Sequence, residues 1–467
     1  MRPSRFMSFL FSCWLSLLAL SPAQTVTTTL VFDGTNGDEP QLFNFTQGRD
    51  GNVIGTTMSG GPFAGHGFVY REQPATFALN PLYYFTNSDG YGGFGGVTLA
   101  SDGNYYGTLA YAGTYNYGTL YKVSPSGTST SLHAFTAGAD GAQPYGAPIQ
   151  GSDGNLYGTT TGAGGTTNAT VYRYTPQAVF TVIYTVPLPG RVEAPVLEAS
   201  DGSLYILNIT GGANNLGEVL KMTKAGVVTS TYSFDCTGDG GCEPSGQLFE
   251  GNDGSLYGTT ALGGAYDEGT IYKLDPTLQV ETVLHVFGST PNDGYIAYAG
   301  VAQGSDGKFY GTTTHGGLNS CGTIYQLTPS GGYTQLYDFP IALFGCPYPV
   351  AAPLQSTNGT FFGGTWYGSS YGGSYGTLYT LDMGLGPFIT FVRAQGKAGT
   401  TVQILGQKLT GATSVTFNGV RATGFRVIKD TYLTAIVPSG ATTGRVVVTT
   451  PTRALTRTYL INTNRTK

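Results

Sequence analysis

Charged residues are scarce in this sequence. Only 10% of its 467 residues are Asp, Glu, Lys or Arg, against roughly a quarter in an ordinary globular domain. Disordered chains are poor in aromatic residues, yet 13% of these residues are aromatic, so the composition predicts a folded chain. Histidine and cysteine are also rare, with 4 and 5 copies, which leaves little material for metal or nucleophilic sites.

Glycine and aromatic residues take the place of charge. The chain contains 73 Gly, 33 Tyr and 25 Phe. The glycines follow no three-residue period, which excludes collagen. A helical protein is not expected, because Gly, Tyr, Thr and Asn prevail over the good helix formers. The composition favours a turn-rich, all-β protein that is long enough for more than one domain.

Long apolar runs are absent except at the N-terminus. Arg2 and Arg5 precede an apolar stretch at 6–20, and small residues follow at 21–23. This pattern is typical of a secretory signal peptide, here residues 1–23, and the stretch is short for a membrane-spanning helix. A lipoprotein signal ending at Cys13 fits less well, because the apolar run continues past it. We expect an exported protein, secreted or at the cell surface, without a membrane span after cleavage.

Four cysteines remain after cleavage of the predicted signal. Cys236 and Cys242 lie in one short Gly-rich segment, so we expect them to pair, which leaves Cys321 and Cys346 as the second pair. A zinc site is the alternative, but neither a Cys-x-x-Cys motif nor a nearby histidine supports it. Export makes disulfides the favoured interpretation.

The strongest signal is internal repetition. The segment Asp-Gly-Asn-Leu-Tyr-Gly-Thr at 153–159 recurs with substitutions, and the first residues of the seven copies are Asp50, Asp102, Asp153, Asp201, Asp253, Asp306 and Asn358. A Gly-Thr-Ile-Tyr segment follows most copies, as at Gly269, and a Leu-x-x-Phe run precedes most of them, as at Leu284. Each copy therefore holds four short strands separated by turns, which is typical of a propeller blade.

The phase of the repeat predicts how the array closes. The chain begins with Leu30-Val-Phe32, a copy of the outer Leu-x-x-Phe strand, and the last copy ends at Leu381 without one. An N-terminal strand that completes the last blade would remove the open edges of the array. The sequence predicts a seven-bladed β-propeller over residues 24–384.

These anchors resemble the Gloeo_Verruco (GloVer) tandem repeat of exported bacterial proteins described as choice-of-anchor. The resemblance covers residues from about 30 to 381 and rests on seven copies that agree in order and spacing. The fourth copy departs, with Ile206 and Leu207 where others have Gly-Thr, and Leu220 where others have Tyr. The resemblance implies no catalytic residue.

Residues 385–467 form a second predicted domain. The segments 399–406, 415–420 and 436–438 resemble an IPT/TIG domain, which implies an immunoglobulin-like β-sandwich. Residues 24–384 carry 9 Lys or Arg and 26 Asp or Glu, whereas 385–467 carry 11 Lys or Arg and one acid, Asp430. The resemblance implies a spacer or association domain. Its basic charge either holds an anionic envelope polymer, docks the domain on its own acidic propeller, or only keeps it soluble. Because the protein is exported, we expect no nucleic-acid partner.

Catalytic motifs are missing from the sequence. It contains no Gly-x-Ser-x-Gly elbow, His-Glu-x-x-His motif or phosphate-binding loop. His133 and His285 occupy equivalent repeat positions, and the repeated aspartates precede a turn glycine, so both sets are interpreted as structural. No cofactor is expected, although calcium at a loop such as 33–38 is an alternative.

Tyrosines in the long loops are the candidate binding residues. Aromatic rings with polar edges suit sugars, so these loops predict a face that recognises a glycan or a peptide. The candidates are Tyr91, Tyr115, Tyr117, Tyr266, Asp267, Glu268, Tyr295, Trp366 and Tyr371. The favoured function is a non-enzymatic binding or adhesion protein, with a protein partner also considered. The alternative is a polysaccharide hydrolase or lyase that uses an acid pair such as Asp267 and Glu268.

Overall fold

The structure of the chain, a computed structural model, describes residues 24–40, 43–62, 65–162, 167–342, 345–367 and 375–461. The regular secondary structure of these residues is entirely β-strand. The predicted signal peptide and Tyr371 lie outside the described residues.

Seven sheets follow one another along the repeat, and we number the repeats as units 1 to 7. Two strands, β1 (Thr25–Val31) and β2 (Asp38–Pro40), precede the first full set. Unit 1 contains β3 (Thr46–Gln47), β4 (Val53–Ser59), β5 (Phe68–Glu72) and β6 (Leu79–Tyr84). Unit 2 contains β7 (Val97–Leu99), β8 (Tyr105–Leu109), β9 (Thr119–Val123) and β10 (Ser129–Ala134). Unit 3 contains β11 (Ile149–Gln150), β12 (Leu156–Thr160), β13 (Thr170–Tyr174) and β14 (Phe180–Thr185).

The later units repeat this arrangement. Unit 4 contains β15 (Leu197–Glu198), β16 (Leu204–Asn208), β17 (Glu218–Met222) and β18 (Val228–Ser233). Unit 5 contains β19 (Gly241–Glu250), β20 (Leu256–Gly263), β21 (Thr270–Leu274) and β22 (Glu281–Val286). Unit 6 contains β24 (Val301–Gln303), β25 (Phe309–Thr313), β27 (Thr323–Leu327) and β28 (Tyr333–Asp338), with a separate pair β23 (Gly294–Tyr295) and β26 (His315–Gly316). Unit 7 contains β29 (Leu354–Gln355), β30 (Phe361–Thr365) and β31 (Thr377–Asp382).

The strands of each unit pair antiparallel in chain order, and the N-terminal strand completes the last one. In unit 7 the order is β29, β30, β31 and then β1, so β1 occupies the place of the missing fourth strand. Its register with β31 runs from Thr25 opposite Asp382 to Val31 opposite Thr377. The fold of the repeat is therefore β-propeller-like, with first and last units joined.

The repeated aspartate forms the turn between the first two strands of a unit. Asp153 Oδ1 accepts a hydrogen bond from the backbone N–H of Asn155 at 3.2 Å, and Asp153 Oδ2 accepts one from the Tyr157 hydroxyl at 2.8 Å. The same pair of bonds recurs at Asp102, Asp201, Asp253 and Asp306. These bonds explain why the motif combines Asp-Gly with a tyrosine: the carboxylate caps the turn and fixes the ring.

The glycine of the repeat makes room for a tyrosine from the neighbouring strand. Gly158 lies opposite Tyr172, and a Cβ on Gly158 would come within 2.3 Å of the tyrosine hydroxyl. The same opposition occurs at Gly258 with Tyr272 and at Gly311 with Tyr325. In unit 4, Ile206 and Leu220 replace Gly and Tyr and lie opposite each other. In the fourth copy, a larger side chain at the Gly position is thus balanced by a smaller side chain at the opposing Tyr position, so the two changes in volume compensate each other.

Consecutive units are joined by hydrogen bonds at the Asp-Gly turns. In every unit except unit 2, a Gln or Glu at the end of the first strand accepts a hydrogen bond from a backbone N–H in the turn of the preceding unit, for example Gln355 from Ser305 at 2.7 Å. Gln47 of unit 1 accepts one from Thr357 of unit 7 at 3.0 Å, which links the ends of the array. The other bonds run from Ser101 to Gln150, Ser152 to Glu198, Ser200 to Glu250 and Asn252 to Gln303. We call the surface that carries these turns the turn face, and the opposite surface the loop face.

One junction lacks this bond, because unit 2 has Leu99 where other units have Gln or Glu. Arg49 of unit 1 instead donates a hydrogen bond to the Ser101 carbonyl at 2.7 Å. Leu99 packs in one apolar cluster with Leu405 and Tyr432 from the C-terminal residues. The exceptional junction is therefore the place where the C-terminal residues pack onto the repeat.

Residues 385–461 form two further sheets around one core. The first contains β32 (Thr390–Phe391), β34 (Thr401–Leu405), β38 (Tyr432–Ile436) and β37 (Phe425–Lys429). The second contains β33 (Gln395–Gly396), β40 (Ala454–Ile461), β39 (Gly444–Thr449), β35 (Ser414–Phe417) and β36 (Val420–Arg421). Both contribute to one buried cluster that includes Ile404, Val415, Leu433 and Val446. We call these residues the C-terminal unit.

The C-terminal unit docks on the turn face of the repeat. It donates hydrogen bonds to turns of units 1, 2, 3 and 7: Thr431 to the Arg49 carbonyl at 2.7 Å, Gln403 to the Ser101 carbonyl at 2.7 Å, Arg393 to the Gly151 carbonyl at 3.1 Å, and Gln407 to Thr357 Oγ1 at 3.1 Å. The ion pairs of the described residues all lie within the repeat. Docking therefore uses hydrogen bonds to turn carbonyls and side chains together with apolar packing, and no ion pair of the described residues crosses this contact.

Two disulfides are present, as the sequence predicts. Cys236 is bonded to Cys242, and Cys321 to Cys346. The first closes a loop between units 4 and 5, and the second fastens the connection between units 6 and 7. Disulfides suggest an oxidising, extracellular setting. Among the residues that the structure describes, no helix is long and apolar enough to cross a membrane.

Deleting residues 25–32 tests the closing strand. Phe32 follows β1 and is fully buried, and burying such a ring contributes about 3–5 kcal/mol. We expect the deletion to lower the free energy of unfolding by at least this amount, measured by chemical denaturation. Val227→Ala, at an exposed side chain, is the control and should stay within about 0.5 kcal/mol of wild type. A deletion variant as stable as wild type would contradict closure by β1.

A buried carboxyl beside the closing strand predicts a pH-dependent stability. Glu72 is 1% exposed, and its Oε1 accepts a hydrogen bond from Thr29 of β1 at 2.9 Å. Burial raises the pKa of Glu72 to about 7, from 4.5. Its contribution to stability is complete below pH 4.5 and is lost as the pH rises to about 7, because the unfolded carboxyl ionises first.

The size of this loss is about 3 kcal/mol. Glu72→Gln keeps an acceptor for Thr29 without the charge, so we expect it to be more stable than wild type at pH 8 and about equal at pH 4. Thermal melts across this range measure the difference. If the Tm of Glu72→Gln falls with rising pH as steeply as the Tm of the wild type, this carboxyl does not titrate as stated.

Candidate functional site

A cavity of about 490 Å³ lies on the loop face. Its lining includes a residue from each of the seven connections that lead into a first strand, where the connection into unit 5 is taken to include the start of β19, before the break in its register after Ser245. These residues are Phe43, Phe94, Tyr145, Glu193, Glu243, Tyr298 and Val350. Because every unit contributes, the cavity lies at the centre of the array, on the side opposite the C-terminal unit. Its size is that of an ordinary small-molecule pocket, about 300–1,000 Å³.

Aromatic rings form one wall of this cavity. Phe94 stacks on Tyr145 with ring centroids 4.6 Å apart, and Tyr111 lies edge-on to Phe94 at 5.9 Å. The hydroxyls of Tyr111 and Tyr145 are hydrogen-bonded to each other. Tyr298 and Trp366 line the cavity from later units. These rings offer apolar faces with hydroxyl and indole N–H groups at their edges.

Charged groups lie among these rings. Arg191 forms an ion pair with Glu193, and Glu243 enters from the next connection. Burial raises the pKa of the Glu193 carboxyl, while Arg191 opposes the shift. Burial, then Glu243 and then Glu193, raise the pKa of the Tyr298 hydroxyl. Two carboxyls from different connections therefore act on one tyrosine, and they can accept hydrogen bonds from ligand hydroxyls.

The residues predicted from the sequence are spread over the loop face. Trp366 lines the cavity, and Tyr91 packs beside it on Tyr111, with centroids 5.4 Å apart. Tyr115, Tyr117 and Tyr266 are exposed at 54%, 38% and 57% and do not line this cavity. Their role as binding residues stays a prediction.

The predicted acid pair is engaged in its own loop. Asp267 Oδ1 accepts a hydrogen bond from the Gly263 backbone N–H at 3.0 Å. Burial, and then the charge of Asp293, raise the pKa of Glu268. Tyr295 stacks on His315, with centroids 5.5 Å apart. Neither acid lines the central cavity.

Sequence reasoning missed Arg191, Glu193 and Glu243 as site residues. The connection residues that line the cavity share a sequence feature: most of them directly precede a small residue. Phe94, Tyr145, Glu193, Tyr298 and Val350 each stand before Gly or Ala in the connection. In a repeat protein, a variable residue at such a fixed position marks a surface that differs from unit to unit.

The two equivalent histidines form matching contacts in units 2 and 5. His133 lies 3.0 Å from Asp140 and stacks on Phe180 of the next unit, and His285 lies 2.9 Å from Asp293 and stacks on Tyr333. Both stacks have centroids 3.7 Å apart. These histidines join neighbouring units, which fits the structural interpretation.

The loop considered for calcium is held by its own hydrogen bonds. Asp33 Oδ1 accepts hydrogen bonds from the backbone N–H groups of Thr35 and Asn36, both at 2.9 Å. These bonds lower the pKa of Asp33. In the part of the chain that the structure describes, no group of three or more His, Cys, Asp or Glu side chains is placed to hold a metal ion. Calcium at this loop stays a prediction.

Comparison with solved structures supports the fold. A fungal alcohol oxidase of the AA5 family, in complex with copper, is similar over 94% of this chain and 99% of its own, with 12% identity and a TM-score of 0.53. An oligogalacturonate lyase in complex with manganese is similar over 78% of this chain and 94% of its own, with 15% identity and a TM-score of 0.51. At such identities the likeness concerns the fold alone.

Sequence comparison gives the family. No curated protein matches the chain. The model of the Gloeobacter/Verrucomicrobia repeat matches it twice, at residues 16–195 and 191–429. The two matches span most of the chain and include the six Asp-Gly turns and the Asn358-Gly turn. The chain therefore belongs to the Gloeobacter/Verrucomicrobia repeat family.

Proposed function

We propose that this is an exported binding protein whose central cavity recognises a short carbohydrate. The seven units would form a closed seven-bladed propeller, and residues 385–467 would form an IPT/TIG-type sandwich. The N-terminal residues 1–23 would act as the signal peptide. Secretion is supported by the two disulfides, which are typical of exported proteins.

The cavity on the loop face is the observation that carries this proposal. It combines stacked aromatic rings with an arginine and two glutamates in about 490 Å³. A sugar ring presents apolar C–H patches to aromatic faces and hydroxyls to charged or polar groups. The turn face cannot offer an equivalent open surface, because the C-terminal unit docks there.

The C-terminal unit is proposed to attach the protein to an anionic envelope polymer. Seven of its cations are exposed and form no ion pair among the described residues: Lys397, Lys408, Arg421, Arg426, Lys429, Arg445 and Arg453. A surface of one sign attracts polymers of the other sign, and the attraction weakens with salt. Retention of the full mature chain on polygalacturonate across a salt gradient tests this; retention independent of salt would contradict it.

A glycan panel with the mature chain tests recognition by the cavity. We expect at least one short glycan to bind, and Tyr298→Ala and Trp366→Ala each to weaken that binding at least tenfold, because each removes a ring from the lining. Calorimetry on the best ligand measures the change. A tenfold loss corresponds to about 1.4 kcal/mol of binding free energy.

Tyr266→Ala is the matched control. This tyrosine is 57% exposed on the same face but lies outside the cavity, so its removal should leave the affinity unchanged. Equal losses in Tyr266→Ala and Tyr298→Ala would place the binding surface elsewhere on the loop face.

A polysaccharide hydrolase or lyase is the second candidate function. The observation that favours it is the pair Glu193 and Glu243, which enter one cavity from neighbouring connections. A buried carboxyl of raised pKa suits a general acid, and glycoside hydrolysis uses two carboxyls that flank the scissile bond. An oligogalacturonate lyase is among the solved structures of similar fold.

Turnover assays separate this candidate from simple binding. If the protein is an enzyme, incubation with oligogalacturonates or neutral glycans should release product, and Glu193→Gln should reduce the rate at least a hundredfold while the ligand still binds. Binding without product in the wild type would exclude this candidate for the glycans tested.

A further inference from the structure

A second space lies between the repeat and the C-terminal unit. Two adjoining cavities of about 360 and 240 Å³ occupy it. They share lining residues from the first strands of the repeat, including Leu99 and Gln303, and from the C-terminal unit, including Val392 and Arg457. We call this space the docking chamber. It differs from the central cavity, whose lining comes from the loop face alone.

Arg457 brings a positive charge into this chamber. It belongs to β40, and its guanidinium donates one long hydrogen bond to the Gln303 carbonyl at 3.5 Å. It also lies over the Phe388 ring, 5.1 Å from the centroid. Burial lowers the pKa of Arg457 to about 10. The residue keeps partial exposure because its side chain faces the chamber.

No carboxylate of the described residues neutralises Arg457. Glu198 lines the chamber, but it accepts a hydrogen bond from the Ser152 backbone N–H and pairs with Lys224 at 2.7 Å. Glu250 also lines it and accepts a hydrogen bond from the Ser200 backbone N–H at 2.8 Å. A buried charge without a counter-charge is costly.

The contact between the C-terminal unit and the repeat depends little on the Arg457 guanidinium. Arg393 donates to two turn carbonyls, those of Gly151 at 3.1 Å and Ser152 at 3.3 Å. Gln403 donates to a third carbonyl and Gln407 to the Thr357 hydroxyl. Arg457 contributes one long bond to the same surface. Gln395 also lines the chamber; its Nε2 donates to the Glu198 carbonyl at 3.5 Å, and its buried Oε1 has no partner among the described residues. The chamber thus holds a guanidinium without a counter-charge and an amide oxygen without a hydrogen-bond partner.

We propose that the docking chamber is a second ligand site, for a small metabolite that carries a carboxylate or a phosphate group. The planar guanidinium of Arg457 would bind the oxyanion. The Gln395 oxygen would accept a hydrogen bond from a hydroxyl of the same ligand. Bound ligand would bridge the repeat and the C-terminal unit, and so stabilise their contact.

Thermal unfolding of the full mature chain tests this site, with inorganic phosphate and citrate as separate probes. Either oxyanion is expected to raise the Tm of the wild type by about 2 °C or more at saturation. Comparison of the two probes separates phosphate from carboxylate ligands. Arg457→Met should abolish the rise, and it should itself raise the Tm without ligand, because it removes an unpaired buried charge.

Two control variants locate the effect. Arg453→Met removes an exposed arginine from the turn before β40, and Arg191→Gln removes the arginine of the central cavity. Both should keep the rise seen in the wild type. If neither probe raises the wild-type Tm, or if the rise is the same in Arg457→Met, the proposal is wrong.

If Arg457→Met fails to fold, Arg457→Lys replaces it as the test variant. It retains the charge but loses the planar pair of donors, so the rise should shrink markedly. A full rise in Arg457→Lys would show that the guanidinium does not hold the ion.

Discussion

The hydrogen bond from each Asp-Gly turn to the next unit is the interaction on which the rest of the structure depends. At six of the seven junctions, the Gln or Glu of the following first strand accepts a hydrogen bond from a backbone N–H of the turn, as Gln355 does from Ser305. The hydrogen bond from the Thr357 backbone N–H to Gln47 is of the same kind and joins the last unit to the first. Each unit is therefore positioned by its neighbour, and β1 is needed where the last unit would otherwise lack a strand.

The exception to this rule explains the position of the C-terminal unit. At Leu99 the polar acceptor is replaced by an apolar side chain, which packs with Leu405 and Tyr432. Docking at this junction, with hydrogen bonds to turn carbonyls around it, covers the turn face and leaves the loop face open. The two faces thus have different tasks. Local variation among the connections can shape a ligand site on one face while the other remains fixed.

The sequence predicts the repeat because its turns depend on local chemistry, and it predicts the closing strand because the last copy lacks the outer strand with which the chain begins. The Asp-Gly turn and the strand before Phe32 are each visible within a few residues, whereas the opposition of Gly158 and Tyr172 appears only in the structure. The central cavity is harder to predict, since Phe94, Glu193 and Tyr298 come from three separate connections and meet only in the folded array. Net charge does not predict the docking of the C-terminal unit, because the contacts are hydrogen bonds to turn carbonyls and side chains together with apolar packing.

Native-state hydrogen exchange tests the central claim, that hydrogen bonds between neighbouring turns close the array into one cooperative ring. The account predicts that the amides of β1 and the bonded turn amides of Ser152, Ser305 and Thr357 exchange only through global unfolding, with one common free energy. Rapid exchange of β1 and Thr357, with the turns of units 3 and 6 still protected, would contradict it.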